Sequence, residues 1–344
     1  MQPPELVRAM KRLTPLIALA AAMGLAACGG SDKSPSTSSP THSVTRTAAG
    51  LPAGHLLYRR YFDTAQTRAA IFAVAPGETN GRQITKPPAG FADDLAVASP
   101  DGSQMIITRC GSERCLLWTA ASDGSGARRL SPQCCADENA ASYSPDGRAL
   151  VFGRAWGQVK DGQIQYSEVY TMSADGTNRR RLTHNSGNGW EGDTGNPSFS
   201  PDGKRIVYTV TKSATAATHP EEHAVFIMNV DGSGQRQLTP WKLAAGDFAR
   251  FSPNGNLIIF RAGFADGPGG DLYTVRPDGS QIRKLTHGLP GMLSAAYSPD
   301  GKYIAFAHLG HNEMPDIWVM KADGTGAVRL THTPTWESLP TWGV

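Results

Sequence analysis

Six carboxylates are the residues of this chain best placed to contact a ligand, because each lies in a loop just before a predicted strand. Three tryptophans lie near them in the sequence. Carboxylates attract cations and metal ions, and indole rings add apolar contact area. The alternative is that the carboxylates accept hydrogen bonds from loop amides and cap turns. The predicted binding set is Asp93, Asp94, Glu138, Asp193, Asp247, Glu337, Trp190, Trp241 and Trp336.

The segment 219–223 has the His-x-x-Glu-His spacing of one class of zinc peptidases. That chemistry needs both histidines on one face of a helix, with the glutamate beside the metal. Pro220 directly follows the first histidine, and a predicted strand begins near Val225, so a helix of adequate length does not fit. We interpret the segment as a loop in which His219 and His223 are weak metal candidates. We predict no catalytic residue and no resident cofactor.

The elements that position these residues follow from a repeated turn motif, Ser-Pro-Asp-Gly. Proline suits the second position of a type I turn, aspartate the third, and glycine the left-handed conformation that follows. Each copy therefore predicts a hairpin corner, and an apolar strand follows each one. The copies are spaced by 45 to 56 residues and begin at Ser99, Ser144, Ser200, Ser252 and Ser298, with Asn254 replacing aspartate in the fourth.

A second motif alternates with the first: an aromatic residue, then Asp-Gly or a degenerate form of it, then a segment of the type Arg-x-Leu-Thr. A period of about 40 to 50 residues made of short strands is typical of a propeller. We therefore predict an all-β, six-bladed β-propeller of four-stranded antiparallel blades over residues 51–344. The outer-strand arginines are interpreted as solvated edge charges. One aromatic residue recurs in each unit, and six such residues indicate six units: Phe72, Trp118, Tyr170, Phe226, Tyr273 and Trp318.

The two ends of the repeat array complement each other. The first unit, near Leu56, has three predicted strands and no preceding corner, whereas residues 339–344 form one unassigned strand. Trp342 stands where Tyr143 and Phe251 stand in other units. We therefore predict that the C-terminal strand pairs into the first blade and closes the ring, which leaves no open sheet edge at the junction.

The N-terminal residues predict export and lipid anchoring. Lys11 and Arg12 precede an apolar run too short to span a membrane, and Leu-Ala-Ala-Cys at 25–28 resembles a bacterial lipobox. The resemblance implies a signal peptide over residues 1–27 and a lipid on Cys28. Residues 28–50 are rich in Ser, Thr, Pro and Gly and predict a disordered tether. We expect an extracytoplasmic, membrane-anchored lipoprotein, on the periplasmic side or the cell surface.

Charge and cysteine content narrow the choice of partners. Loss of residues 1–27 lowers the formal charge from +3 to +1, which argues against a nucleic-acid partner. In an exported chain, an even and local set of cysteines favours disulfides over zinc, with the pairing left open. Adjacent cysteines also fit zinc spacings poorly. The disulfide candidates are Cys110, Cys115, Cys134 and Cys135.

The Ser-Pro-Asp-Gly and Asp-Gly-x-x-x-Arg-x-Leu-Thr units resemble the WD40-like (PD40) repeats of the TolB family of propellers, over about residues 52 to 344. Similar repeats occur in the propellers of prolyl oligopeptidase-type enzymes and oligogalacturonate lyases. The resemblance implies that the channel face receives segments of partner proteins.

Three functions follow as hypotheses. The first is a non-catalytic, monomeric scaffold that binds a protein, peptide or glycan through the rim where the long connections collect. The second is a metal-dependent polysaccharide lyase or hydrolase with its site in the central channel. The third is a structural component of the cell envelope.

Overall fold

The computed structural model describes residues 54–343, apart from residues 76–77, 80, 132–135, 157–165, 185–193, 213–221, 264–269, 288–290 and 310–313. In this part of the chain, strands form six four-stranded antiparallel sheets. Among the described residues, helical structure is limited to the short 3-10 turn Trp241–Leu243, and no helix reaches the length and hydrophobicity of a membrane span.

Each sheet has one innermost, one second, one third and one outermost strand. The innermost strands are β4 (Ala92–Ala98), β8 (Asp137–Tyr143), β12 (Thr194–Phe199), β16 (Gly246–Phe251), β20 (Met292–Tyr297) and β24 (Glu337–Trp342). The second strands are β1 (Leu56–Tyr61), β5 (Gln104–Cys110), β9 (Ala149–Trp156), β13 (Arg205–Lys212), β17 (Ile258–Ala262) and β21 (Tyr303–Leu309). The third strands are β2 (Ala69–Val74), β6 (Cys115–Ala121), β10 (Tyr166–Ser173), β14 (Glu222–Asn229), β18 (Asp271–Val275) and β22 (Pro315–Lys321). The outermost strands are β3 (Arg82–Gln83), β7 (Arg128–Arg129), β11 (Arg180–Arg181), β15 (Arg236–Gln237), β19 (Arg283–Lys284) and β23 (Val328–Arg329).

The six sheets are the blades of a propeller. Blade 1 is β24-β1-β2-β3, and blades 2 to 6 follow in chain order as β4–β7, β8–β11, β12–β15, β16–β19 and β20–β23. Each innermost strand contacts the innermost strand of the next blade, and β24 contacts both β20 and β4. This arrangement confirms the predicted all-β, six-bladed architecture. All six aromatics of the counting column lie on third strands.

The C-terminal strand closes the ring as predicted. β24 pairs antiparallel with β1, and Trp342 lies opposite Leu56. The same strand reaches both neighbouring blades, because Trp342 Nε1 donates to the carbonyl of Ala296 at 3.1 Å and Thr341 Oγ1 donates to the carbonyl of Ala96 at 2.7 Å. Blade 1 therefore contains both ends of the repeat array and bonds to blades 6 and 2.

The Ser-Pro-Asp-Gly corners turn the chain and also pack neighbouring blades. At Ser200, the hydroxyl donates to Asp202 Oδ1 at 2.5 Å and accepts from the Arg205 amide at 2.9 Å. Gly203 has a φ of 69°, and a Cβ placed on it would lie 3.7 Å from Pro145 of the preceding corner. Each glycine of blades 3 to 6 faces the proline of the blade before it, in the pairs Gly147–Pro100, Gly203–Pro145, Gly255–Pro201 and Gly301–Pro253.

These corners give the protein a specific acid sensitivity. The serine hydroxyl, as the largest cause, holds the carboxyl pKa of Asp101, Asp146, Asp202 and Asp300 below its ordinary value. A depressed folded-state pKa contributes stability above the unfolded pKa of about 3.9, and that contribution is lost as pH falls through the folded-state pKa. Asn254 makes the same contact without a charge, since Ser252 Oγ donates to its Oδ1 at 2.8 Å.

We therefore predict that changing all four aspartates to asparagine weakens the acid destabilisation. Urea unfolding between about pH 5 and pH 2.5 should show a smaller fall in unfolding free energy for the variant than for the wild type. An equal fall in both proteins would mean that other carboxyls set the acid response.

The hydroxyl that ends each Arg-x-Leu-Thr segment explains why this segment repeats. It is buried and accepts a hydrogen bond of 2.7 to 3.1 Å from a third-strand amide. A two-residue outer strand leaves that amide without a ladder partner, so the hydroxyl satisfies a buried donor. The acceptors are Thr85, Ser131, Thr183, Thr239, Thr286 and Thr331.

An apolar plug, formed by Leu95, Ala140, Phe248 and Leu339, fills the central channel at the level of bulges in the innermost strands. These four side chains form one buried cluster, although they come from blades 2, 3, 5 and 1. Blades 2 and 5 face each other across the ring, so their side chains meet at its axis. Ala140, Phe248 and Leu339 adopt φ values of 51° to 56°, which non-glycine residues rarely adopt.

Antiparallel pairing sorts the connections between strands onto two faces. Innermost-to-second and third-to-outermost connections leave from one end of each blade, here called the tight-turn face. Second-to-third and blade-to-blade connections leave from the other end, here called the long-loop face. Nine residues separate β9 from β10 and β13 from β14 on that face, compared with five at a typical Ser-Pro-Asp-Gly corner.

Candidate functional site

The innermost strands begin on the long-loop face, and this places four predicted carboxylates around the channel mouth. Asp93 and Asp94 lie on β4, Glu138 on β8 and Glu337 on β24. Their exposures are 0%, 9%, 1% and 0%, so they are interior groups. Buried carboxylates need compensating partners. In each case the principal partner is an arginine.

Asp93 forms a two-pronged ion pair with Arg109 directly across the β4–β5 ladder. Arg109 Nε donates to Asp93 Oδ1 at 2.5 Å, and its Nη2 donates to Oδ2 at 3.0 Å. The guanidinium lies 4.8 Å from the ring centre of Trp118, which belongs to the aromatic column. Such a stacked, bidentate geometry fixes the orientation of both side chains.

Glu138 has three partners. Arg154, which lies opposite it on β9, donates from Nη1 to Glu138 Oε1 at 3.1 Å. Arg179 donates to the same oxygen, and Ser131 Oγ donates to Oε2 at 2.6 Å. Ser131 Oγ also accepts a hydrogen bond from the Leu117 amide, so Ser131 links the Glu138 carboxylate to the third strand of blade 2.

Glu337 repeats this arrangement in blade 1. Arg60 lies opposite it on β1, donates from Nε to Glu337 Oε1 at 2.5 Å and stacks 4.2 Å from the Phe72 ring centre. Burial raises the pKa of Glu337, while hydrogen bonding from Thr331 and the charge of Arg60 oppose the increase. The group thus resembles Asp93 and Glu138 in position and in partner.

Asp94 links two blades. Arg59 of β1 donates to its carboxylate and also donates to Ser338 Oγ of β24, at 2.7 Å from Nη2. Arg59 is 2% exposed and lies 4.7 Å from the ring centre of Tyr61. Asp94 therefore joins blade 2 to the two strands that close blade 1.

The four described carboxylates near the mouth are thus buried in ion pairs, and arginines neutralise them. An unscreened acidic field needs unpaired carboxylates, and none of these four is unpaired. As direct ligand contacts they stay a prediction.

Other predicted site residues fall outside the described part of the chain. Trp190, Asp193, His219, Cys28, Cys134 and Cys135 lie outside the described residues, as does the side chain of Asp247. The signal peptide over residues 1–27 and the tether over residues 28–50 lie there too.

The two described tryptophans of the predicted set have different environments. Trp336 is 8% exposed, belongs to the core cluster of blades 1 and 6, and donates from Nε1 to Ser338 Oγ at 3.2 Å. Trp241 is half-buried in the 3-10 turn, where its ring lies 5.7 Å from that of Phe226 and 4.3 Å from Lys212 Nζ. Only Trp241 of this pair has surface available to a partner.

His223 lies on β14, opposite Thr211, and its Nδ1 is 2.8 Å from Thr211 Oγ1. The strand therefore begins at Glu222, three residues earlier than predicted, and His223 lies on a strand and not in the predicted loop. In the described residues no cluster of three or more His, Cys, Asp or Glu side chains has a geometry suited to a metal ion.

One disulfide joins predicted cysteines. Cys110 and Cys115 are bonded across the four-residue connection between β5 and β6, on the long-loop face. The amide of Cys115 donates to Asp137 Oδ1 at 2.7 Å, which attaches this hairpin to the first residue of blade 3.

Sequence reasoning missed the arginines of the mouth, although a signal for two of them is present. The acidic residue and its arginine are 16 positions apart in both Asp93–Arg109 and Glu138–Arg154. Blade 4 has Thr194 opposite Val210 at this register, so it lacks both charges. Acid and base therefore occur together in blades 1 to 3 and are both absent from blade 4, whereas blade 5 has Arg261 opposite Gly246 and thus a base without an opposing acid.

Large apolar side chains are exposed on both faces. Phe62, which follows β1, and Phe91, which precedes β4, are 40% and 38% exposed on the long-loop face. Val230, which follows β14, and Ile282, which precedes β19, are 41% and 36% exposed on the tight-turn face. A groove of about 420 Å³ also lies on the tight-turn face, between the corners at Pro100 and Pro145.

Comparisons with known proteins agree with this architecture. The family model described as PD40, TolB beta propeller domain, matches residues 61–288. The Tol-Pal system protein TolB of Anaeromyxobacter dehalogenans is 50% identical over 46 residues, which are 13% of this chain and 10% of that protein. A TolB homolog of Chlorobium luteolum is 30% identical over 186 residues, which are 53% of this chain and 37% of that protein.

A solved structure of TolB from Acinetobacter baumannii superposes with a TM-score of 0.66 at 17% identity, and covers 84% of this chain and 66% of that one. At that identity the likeness shows the fold alone. The chain spans between 10% and 37% of the length of the two curated relatives above. Since the family model matches well over half of the sequence, the chain belongs to the PD40 family of TolB-type β-propellers.

Proposed function

We propose that this protein is an extracytoplasmic, lipid-anchored propeller that binds a protein, peptide or glycan partner on its long-loop face without chemistry. The main support for this proposal is that the long connections between strands all leave from one face of a closed ring. The strand ends that flank the long connections share one face. Variable connections on a rigid scaffold are the usual place for a binding surface.

Rigidity on that face comes from the mouth ion pairs. Asp94 and Arg59 join blades 1 and 2, and Glu138 holds Arg179, whose Nη2 donates to the Leu130 carbonyl at 3.0 Å. Partner recognition costs less entropy when the surface is already ordered. We therefore assign these carboxylates the role of positioning the connections, with Asp193 and Asp247 as further candidates at the mouth.

Phe62 and Phe91 are the described side chains best suited to contact a partner. Both are exposed on the long-loop face, in blade 1 and just before blade 2. Aromatic side chains contribute much of the binding energy in protein interfaces and also stack on sugars. The relatives named for the Tol-Pal system support an envelope protein as the partner class.

The test is capture of a partner by the full chain, produced with its own signal and extracted in mild detergent. Cross-linking in cells followed by mass spectrometry should recover one envelope component at high yield. Phe62→Ser with Phe91→Ser should reduce that yield by about tenfold, a loss typical of interface anchor residues. Val230→Ser with Ile282→Ser, matched in exposure but on the tight-turn face, should leave the yield unchanged.

Three outcomes would contradict the proposal. Equal loss in both double variants would place the binding surface elsewhere, and recovery of no component would favour a purely structural role in the envelope. Release of shorter oligosaccharides from envelope polysaccharide by the purified chain, dependent on added divalent metal, would favour the lyase or hydrolase alternative.

The lipid anchor is tested separately. Growth with an alkyne-tagged fatty acid should label the wild-type chain, and Cys28→Ser should abolish the label and move the protein to the soluble fraction. Label retained in the variant would refute lipidation at this residue.

A further inference from the structure

Arg250 is the one charged residue at its register among the innermost strands. It follows the bulge of β16 and lies opposite Ile259. The residues at the same register in the other blades are Val97, Ser142, Ser198, Ala296 and Thr341. Because Arg250 comes after Phe248 in a strand that runs toward the tight-turn face, it lies on that side of the apolar plug.

The guanidinium lies beside the plug and reaches the neighbouring blade. Its carbon is 5.8 Å from the ring centre of Phe248, and Nη1 is 3.4 Å from the carbonyl of Pro197 in the bulge of β12. No carboxylate of the described residues lies within ion-pair distance of it. Burial lowers the pKa of Arg250 to about 10, so it is charged at neutral pH.

Arg250 thus differs from the mouth arginines Arg59, Arg60 and Arg109, each of which faces a carboxylate. A partly buried charge without a counter-charge is costly for a fold to keep. It is also a strong attractor for an external anion, because the apolar floor of the plug lowers the local dielectric.

A second polar group belongs to the β12 bulge whose Pro197 carbonyl Arg250 approaches. Asn196 precedes Pro197 and has a φ of 53°, close to that of the plug residues Ala140 and Phe248. Equivalent bulge positions in blades 1, 3 and 5 direct their side chains to the axis. The Oδ1 atom of Asn196 is buried and has no hydrogen-bond partner among the described residues. The side-chain amide of Asn196 is a neutral group with both a donor and an acceptor.

We propose that the tight-turn side of the channel binds an oxyanion, a carboxylate or phosphate group, through the guanidinium of Arg250 with the amide of Asn196 beside it. A planar guanidinium donates two parallel hydrogen bonds to either group. Arg250 is partly exposed, as a ligand site requires. The apolar plug separates this site from the long-loop face, so it is distinct from the proposed partner surface.

The experiment measures the binding of inorganic phosphate and of acetate to the full chain, by calorimetry and by thermal melting. Each anion replaces chloride, so that the ionic strength stays constant. We expect saturable binding of at least one anion with a matching rise in melting temperature. The stronger anion identifies the source as phosphate or carboxylate. Arg250→Met should weaken binding by about tenfold or more, and Asn196→Ala should weaken it less.

Arg68→Met is the matched control, because the side chain of Arg68 is 70% exposed and the variant loses the same charge. It should bind the anion as the wild type does. Equal weakening in Arg68→Met and Arg250→Met would show a general charge effect and overturn the proposal. Absence of saturable binding to the wild type would overturn it without reference to any variant. If Arg250→Met fails to fold, Arg250→Lys keeps the charge but loses the bidentate geometry, and unchanged affinity in that variant would overturn the assignment.

Discussion

Removal of residues 335–344 is expected to abolish the cooperative unfolding transition of the propeller. The deletion removes β24, the innermost strand of blade 1, which also contacts the innermost strands of blades 6 and 2. It also leaves Arg59 and Arg60 without Ser338 and Glu337. Loss of one partner of a buried ion pair costs about 3 to 5 kcal/mol, and total stabilities are about 5 to 15 kcal/mol.

The measurement is thermal and urea unfolding followed by circular dichroism and tryptophan fluorescence. Trp342→Phe is the matched control, since it keeps an aromatic ring at this position and removes the hydrogen bond to Ala296 with part of the indole's contact area. That variant should lose about 1 kcal/mol and still unfold cooperatively. A truncated chain that melts cooperatively within a few degrees of the wild type would show that ring closure contributes little to stability.

The architecture could be predicted because it depends on residues that repeat. Ser200, Asp202 and Gly203 make the same contacts as their counterparts in the other corners, and Trp342 stands at the register that this repeat assigns to it. The contacts of the Ser-Pro-Asp-Gly motif lie within a few residues of each other, so the motif alone specifies a turn and the strand after it. The number and spacing of its copies then specify the number of blades. Blade number, strand order and closure therefore followed from counting.

The chemistry of the channel could not be predicted in the same way, because it depends on residues that break the repeat. Phe248 is large where the equivalent residue of blade 3 is alanine, and it enters the plug because a bulge turns it toward the axis; the bulge recurs in the other innermost strands, but no turn residue in the sequence marks it. Arg250 stands among neutral residues at its register, but its isolation depends on which side chains surround it in three dimensions. The pairing of Asp93 with Arg109 needs a register that a bulge shifts by one residue.

Asp93→Ala is expected to destabilise the propeller by about 3 to 5 kcal/mol, because Arg109 stays buried without a counter-charge. Arg109 is 4% exposed and has Trp118 beneath it, so it cannot reach water without disturbing the aromatic column. Urea unfolding measures the loss. Glu113→Gln is the control, since Glu113 and Arg114 form an exposed pair at 3.9 Å whose loss should cost less than about 1 kcal/mol. Equal effects of the two substitutions would show that the mouth pairs do not stabilise the fold.

The double variant Asp93→Thr with Arg109→Val decides why blades 1 to 3 keep these charges. It copies the residue types that blade 4 has at the same register, Thr194 opposite Val210. Because removal of both charges leaves no uncompensated group, stability should return to within about 1 kcal/mol of the wild type. If it does, the ion pairs are dispensable for folding, and reduced capture of the partner by this variant would assign them to positioning of the long-loop face. Stability as low as that of Asp93→Ala would instead make the pair part of the core that folding requires.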